Sequence, residues 1–423
     1  MEKKRSLLSN TFFLYLLTFS NYVFAFITIP YQTRILGPDF FGIISFALAF
    51  FSYFLLFIDF GFILSATKSI AEDSDNQNHV GRMLTAVSVS KFLLFVLSLL
   101  ILFIFTFVSE KVWDNRIIII LYLVLAFFTS ITPDFIYRGW ENMMMVSLVA
   151  VVVRGTFTFL VFLFLKEPQD YILVPIFQIV GVLVSLVIIF YDLFVHKGIR
   201  FKRISFKEVY SIMKESSVYF LSRIASTVFT SANTIIIGLI YPSAIVGFYS
   251  SAEKFKVLAS QAASPISDSL YPYMIRTHNY KTMTLIVISM ESLIILSCLI
   301  LWCYSDVICT FIFGTQYKAA ADLVIFFIPL IVLTLPNYVF GFPALTPLRA
   351  QKWANYSVEI AMVLQLIGLA LLYFNSSLNL YNICWLTIFS ESVCFIIRIV
   401  AFIVYYIHSK QDNNNIIHEF HEK

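Results

Sequence analysis

Long apolar runs separated by short polar breaks make up nearly the whole chain. An α-helix rises about 1.5 Å per residue, so about 20 apolar residues cross a hydrocarbon core about 30 Å thick. Twelve segments meet or approach that length, near residues 7–30, 40–67, 82–108, 117–137, 143–165, 171–195, 212–240, 244–275, 282–305, 320–344, 352–374 and 379–408. The first two flank a turn over residues 30–42 that contains Gly37-Pro38. Proline lacks a backbone donor and glycine tolerates reversal, so this dipeptide predicts a hairpin of two helices. The cationic start, Met1 to Arg5, precedes an apolar run too long for a cleaved leader, which predicts an uncleaved first helix.

Two segments break the apolar pattern on one side only. In the seventh, Arg223, Thr227, Thr230 and Thr234 follow the spacing of one helix face. In the eighth, Glu253, Lys254, Lys256, Ser260, Gln261, Ser264, Ser267 and Asp268 fall within an arc of roughly 160°. A lipid-facing helix has no use for such a stripe, so these two helices are expected to line a wet cavity. A weaker polar face, Thr18, Asn21 and Thr28, marks the first helix.

Composition sharpens this picture. The chain has 423 residues, 60% hydrophobic and 13% charged, with 46 phenylalanines. Soluble domains carry about 25% charged residues, so an all-α polytopic membrane protein is the fold class expected. Five cysteines, an odd number without metal-ligand spacing, read as buried free thiols. There is no phosphate-cradling glycine loop, no His/Cys metal set and no Ser-His-Asp spacing, so the sequence argues against an enzyme, a metal site and nucleic-acid binding.

Charge sets the expected orientation. Eighteen Lys and Arg fall on the side of the termini and five on the other. The positive-inside rule then places both termini in the cytoplasm, consistent with twelve crossings. The most basic connection, residues 196–214, separates two sets of six helices, and the halves echo each other. Pro38 and Gly42 match Pro242 and Gly247, and Arg138 through Asn142 match Arg349 through Trp353. Two six-helix lobes follow, residues 1–205 and 206–423, in the plan of repeat transporters with a midplane site.

Ionisable residues at mid-depth cost roughly 2.5–3.5 kcal/mol on insertion scales and so face protein or water. Counting from the helix ends places Lys91, Arg154, Arg223, Lys254 and Lys256 there, with Glu253, Glu291 and Glu391. Asp59, Asp268, Glu359 and Arg398 come out nearer the cytoplasmic interface, within snorkelling range. The excess is basic. Glu253 and Lys256 have the spacing of a pair, which leaves Arg223 and Lys254 to meet an anion. Internal pairing of Lys91 and Arg154 with Glu291 or Glu391 is the alternative to substrate contact for those two.

The stretch Pro30-x-x-x-Arg34-x-x-Gly37-Pro38-x-x-x-Gly42, followed by Asp59-x-Gly61, resembles the start of the O-antigen and polysaccharide flippases. These belong to the multidrug/oligosaccharidyl-lipid/polysaccharide exporter superfamily, whose multidrug (MATE) branch shares the two-lobed plan. Gly247-Phe-Tyr249-Ser-Ser-Ala252-Glu253-Lys254 and Phe313-Gly314-x-x-Tyr317-x-x-Ala320 extend the resemblance through the second half. It implies a bacterial inner-membrane flippase that moves an undecaprenyl-pyrophosphate-linked oligosaccharide from the cytoplasmic to the periplasmic leaflet by alternating access. Substrate contacts would fall to Arg223, Lys254, Lys256, Lys91 and Arg154. No cofactor is implied, proton or sodium coupling would fall to Glu253 or Asp59, and a polysaccharide polymerase and chain-length regulator are the expected protein partners. The rival readings are a multidrug exporter of the same superfamily, disfavoured by the basic excess, and a membrane enzyme such as a polymerase, disfavoured by the short outer loops.

Overall fold

A computed structural model describes residues 2–421, with side chains from residue 19 onward except 21, 221, 222, 225, 226, 229, 230, 410 and 412–421. Thr18, Asn21 and Thr230 therefore lie outside the described side chains. The described residues are mostly helical, and each of the twelve predicted segments falls on helix, though several are broken within their predicted bounds. Contacts divide the chain into Met1–Gly247 and Phe248–Lys423.

In the first unit, α1 (Glu2–Asp59) contains two helices joined at Gly37, whose φ of 68° is left-handed. The expected turn over residues 30–42 is thus a single residue. Pro38 bars the α-region to its predecessor, and glycine accepts the alternative without a Cβ penalty. The second predicted helix, residues 40–67, is shorter than expected. It stops at Asp59, Phe60 and Gly61 take φ of 44° and 80°, and α2 (Phe62–Glu72) resumes. Next come α3 (Gln77–Val108), a short α4 (Glu110–Asp114) and α5 (Arg116–Ile131), which ends before Thr132-Pro133. A single turn, α6 (Asp134–Gly139), follows. The antiparallel pair α7 (Met143–Phe164) and α8 (Leu173–Tyr191) leads to α9 (Phe206–Ile240). Helix α9 packs on α1, α2 and α3, which is why it clusters with the first unit.

Helix α10 (Ser243–Thr277) starts in the first unit. A Cβ on Gly42 would lie 1.8 Å from the Ser243 carbonyl oxygen, and one on Gly247 2.1 Å from that of Pro38. The two glycines matched by the internal echo thus bring these backbones into direct contact.

The second unit continues α10 and adds α11 (Tyr280–Cys303), α12 (Ser305–Phe313), α13 (Ala320–Val339), α14 (Phe342–Leu345), α15 (Lys352–Phe374) and α16 (Leu380–His421). Its core joins Met274, Met283, Leu335, Val339 and Ala344, all fully buried. The break between α13 and α14 at Phe340-Gly341 shortens the predicted segment 320–344, as the break at Thr132-Pro133 shortens 117–137.

Nine helical stretches among the described residues are long and apolar enough to cross a membrane. Helix α10 is not among them, because its polar face and charges dilute the apolar windows, and α9 contributes the shorter apolar stretch Ser231–Ile240 among the described residues. On α3, Phe103, Ile104 and Phe107 face outward. Water would penalise that exposure, whereas lipid does not. The chain is a multi-pass membrane protein.

Helix α9 begins with a capping box: Ser205 accepts from the Glu208 amide while Glu208 accepts from the Ser205 amide. That amide bond first, and Arg82 second, hold the exposed Glu208 carboxyl down at about 2. A depressed pKa contributes stability above the ordinary carboxylate value of about 4.3, and the contribution disappears as pH falls from there toward 2. Glu208→Gln should therefore flatten the acid limb of the melting temperature across that window; an unchanged limb contradicts it. Gly42→Val and Gly247→Val should each cost about 1–3 kcal/mol through overpacking. Gly155→Ala, whose Cβ would meet only Phe24 at 3.7 Å, should leave the melting temperature level or raise it.

Candidate functional site

The break at Phe60-Gly61 lets α9 press close. A Cβ on Gly61 would lie 2.8 Å from the Ser216 carbonyl oxygen, the Ser65 and Ser216 hydroxyls meet at 2.6 Å, and Phe60 stacks on Phe220 at 4.5 Å. Just beyond Phe220 on α9, Arg223 reaches Asp59, its Nη1 donating to Oδ2 at 2.5 Å. From α3, Lys91 Nζ donates to the other carboxylate oxygen at 3.3 Å and also to the Ser130 carbonyl at the end of α5. Asp59 is 7% exposed and Lys91 2%. The Phe62 and Phe135 rings stand 6.0 Å from the ammonium. Asp134 on α6 lies within electrostatic reach of Lys91 and Asp59, and Arg138 Nε donates to it at 3.3 Å. Among the described residues, three cations against two carboxylates give this cluster one net positive charge.

The cluster joins two residues that the sequence placed apart. Asp59 was expected within snorkelling range of the interface. In the structure it is the buried acceptor of two cations, because Gly61 removes the bulk that would hold α9 away. Lys91 pairs with Asp59 and not with Glu291 or Glu391. The sequence signal was Asp59-x-Gly61, a carboxylate one residue before a helix break. Of the expected seventh-helix face, Thr227 is half-buried and Thr234 buried.

Beside the cluster lies an apolar cavity of about 590 Å³ between α1, α3 and α9, lined by Phe50, Phe57, Leu102, Phe220, Ile224 and Ile236 among others. Phe220 and Ile224 flank Arg223 along α9, so a charged group and a greasy chamber share one helix. Arg154 lies elsewhere in the unit, lining a separate cleft with α5 and α8 and donating from Nη1 to the Ala150 carbonyl at 3.2 Å.

In the second unit Lys256 pairs with Glu391 of α16 at 2.7 Å, not with Glu253. The i,i+3 spacing permits the local pair, but Glu391 approaches from a packed neighbour. Asn337 Nδ2 donates to the other Glu391 oxygen at 3.2 Å. Arg398 donates to the Asn337 carbonyl, to the Ser357 hydroxyl at 2.8 Å and to the Ala354 carbonyl at 3.2 Å. Arg398, read as an interfacial residue, thus ties α13, α15 and α16 together, and its partners are mostly carbonyls that sequence does not distinguish. Glu253 and Lys254 are half-buried neighbours on α10. Both carboxylate oxygens of Glu291 are buried without a hydrogen-bond partner among the described residues.

Comparison with known proteins follows this geometry. Residues 7–278 match the family described as "Polysaccharide biosynthesis protein". A protein of Escherichia coli (strain K12) named "Putative O-antigen transporter" is 27% identical over 377 residues, covering 86% of this chain and 88% of that one. Among solved structures, the lipid II flippase MurJ in an inward closed conformation superimposes with a TM-score of 0.65 at 13% identity, covering 94% of this chain and 90% of that one. An inward-facing multidrug resistance MATE family transporter of the MOP superfamily gives 0.60 at 15% identity, covering 91% and 97%. At such identities these two structures establish a shared fold.

Breaking a buried ion pair costs about 3–5 kcal/mol when one charge is left uncompensated. Asp59→Asn should show a loss of that order in unfolding of the purified protein. Adding Lys91→Met to Asp59→Asn should recover a large part of it, because the stranded ammonium is gone. Strictly additive losses would dissolve the pair.

Proposed function

Because the chain belongs to the polysaccharide biosynthesis protein family, we propose that it is a flippase for a lipid-linked oligosaccharide, carrying an undecaprenyl-pyrophosphate-linked glycan from the cytoplasmic to the periplasmic leaflet of the bacterial inner membrane. The observation that carries this reading is the net-positive Asp59–Lys91–Arg223 cluster beside an apolar cavity. An isoprenoid pyrophosphate pairs an anion with a long apolar chain, and these two features match its two ends. The name of the Escherichia coli relative and the fold of the lipid II flippase support the same class of cargo.

The chain's own groups then divide the work. Arg223 presents a planar fork that suits phosphate oxygens, while Lys91 holds Asp59 from the other side. When the anion arrives, Arg223 shifts from Asp59 to phosphate, and Asp59 keeps Lys91 as its counter-ion. As the anion leaves, Asp59 takes Arg223 back. A cation that returns to its own carboxylate binds the anion without trapping it. The membrane potential, negative inside, favours outward movement of an anion by about 2.3 kcal/mol per charge per 100 mV.

The wider frame of this proposal is twelve crossings, both termini cytoplasmic, and two six-helix lobes over residues 1–205 and 206–423 that alternate access. Lys254 and Lys256 supply further positive charge on α10. Glu253 or Asp59 is the candidate for proton or sodium coupling, and a polymerase and chain-length regulator would receive the exported unit. A cationic-drug exporter would need an acidic site, which the excess of cations at the cluster disfavours.

Complementation of a flippase-null strain, read as surface glycan at matched expression, tests the reading. Arg223→Lys should keep partial export, since the charge survives and the fork is lost. Arg223→Gln should be worse, and Arg223→Glu should abolish export by repelling both phosphate and Asp59. Lys254→Ala should impair export at a normal membrane level. Full export by Arg223→Glu would refute the anion site.

A further inference from the structure

Of the three cations that the sequence places at mid-depth in the first unit, Lys91 and Arg223 join the Asp59 cluster and Arg154 does not. Among the described residues no carboxylate lies within ion-pairing distance of it, and its guanidinium donates to the Ala150 carbonyl alone. It lines a cleft of about 520 Å³ walled by α1, α5, α7 and α8, distinct from the apolar cavity beside Arg223. Gly181 draws the last two helices together: a Cβ there would lie 2.6 Å from the Val153 carbonyl oxygen. Arg154 follows Val153 directly, so this close crossing fixes the backbone that carries the cation.

The lining is of mixed character. Phe51, Val149, Val153 and Phe157 supply apolar walls, while Asp134, Arg138, Arg154 and Gln178 supply polar groups. Asp134 and Arg138 pair with each other at 3.3 Å and cancel. The cleft is left with one net positive charge, on Arg154. Gln178 adds a side-chain oxygen that is buried without a hydrogen-bond partner among the described residues. The bond to Ala150 folds the guanidinium back toward the start of α7, about 10 Å from that helix end at about 1.5 Å per residue. A lipid head group at the same membrane face lies within reach of that depth.

A cation in a low-dielectric wall is expensive unless an anion or water accompanies it. We propose that this cleft binds one anionic phospholipid, of the phosphatidylglycerol type, with Arg154 anchoring its phosphodiester and Gln178 accepting from a head-group hydroxyl. The charge count selects this class: a phosphodiester brings one negative charge and neutralises Arg154. A pyrophosphate would bring about two and leave the cleft negative. The volume lies within the range of about 300–1,000 Å³ found for small-molecule sites. The cleft does not depend on glycan transport, so its test can fail or succeed independently of the flippase reading.

Native mass spectrometry of the purified full-length chain, titrated with phosphatidylglycerol or phosphatidylcholine of equal chain length, measures the preference. Wild type should retain phosphatidylglycerol about tenfold more tightly, because phosphatidylcholine has the same phosphodiester but its quaternary ammonium cancels the net charge that Arg154 selects, and it offers Gln178 no hydroxyl. Arg154→Gln should lose that preference. Ala150→Phe, which fills the cleft and keeps the arginine, should lose it as well, and guards against misfolding of the first variant. Thermal unfolding of each variant in detergent without added lipid verifies the fold. An unchanged preference in both variants overturns the site. Equal stabilisation of wild type by inorganic phosphate alone would overturn the assignment to a lipid.

Discussion

A carboxylate buried between two cations sets the design of the first unit. Asp59 sits at the end of a helix that cannot continue, because Phe60 and Gly61 take left-handed conformations. That break is what allows α9 to approach within contact of the backbone, and the approach is what delivers Arg223. Lys91 arrives from α3 and is itself held by a carbonyl at the end of α5. One residue therefore links four helices. Any change to the carboxylate would leave charge stranded where it is poorly solvated, so the cluster is both a structural junction and the most electrically active place in the unit.

The second unit solves the same problem with different parts. Lys256 and Glu391 neutralise each other between α10 and α16, and Asn337 and Arg398 extend the network to α13 and α15. Here the guanidinium donors are spent mostly on backbone carbonyls near a helix break. Both units thus place arginine or lysine where a broken helix exposes polar backbone, an arrangement that intramembrane irregularities require.

Much of this was legible in the sequence, and the misses have physical causes. The helices could be read because lipid-spanning segments need length and apolarity, which composition reports directly. The one-sided polar stripe of helix seven was legible, and on α9 it includes Arg223, which reaches the Asp59 cluster, whereas the cavity beside that cluster is apolar and not the wet one that the stripe predicted. The partners of Lys91 and Lys256 could not be read, because pairing across helices depends on which faces meet, and spacing along one helix says nothing about that. The expected local pair of Glu253 with Lys256 lost to Glu391, 135 residues away. The burial of Asp59 between two cations was not legible, because residues 40–67 read as one unbroken helix, whereas the chain breaks at Phe60-Gly61. Arg154 lines a cleft with residues of α5 and α8, a neighbourhood that no periodicity in α7 reveals.

The account turns on whether the cluster recognises a lipid's anion and not only its tail. Binding of undecaprenyl pyrophosphate and of undecaprenol to the purified protein, compared under identical detergent and salt, tests that most directly. The account predicts that the pyrophosphate binds about tenfold or more tightly than the alcohol. It also predicts that Arg223→Gln erases the difference while the alcohol's weak binding persists. Equal affinities in the wild-type protein would contradict it and leave the Asp59 cluster as a purely structural junction.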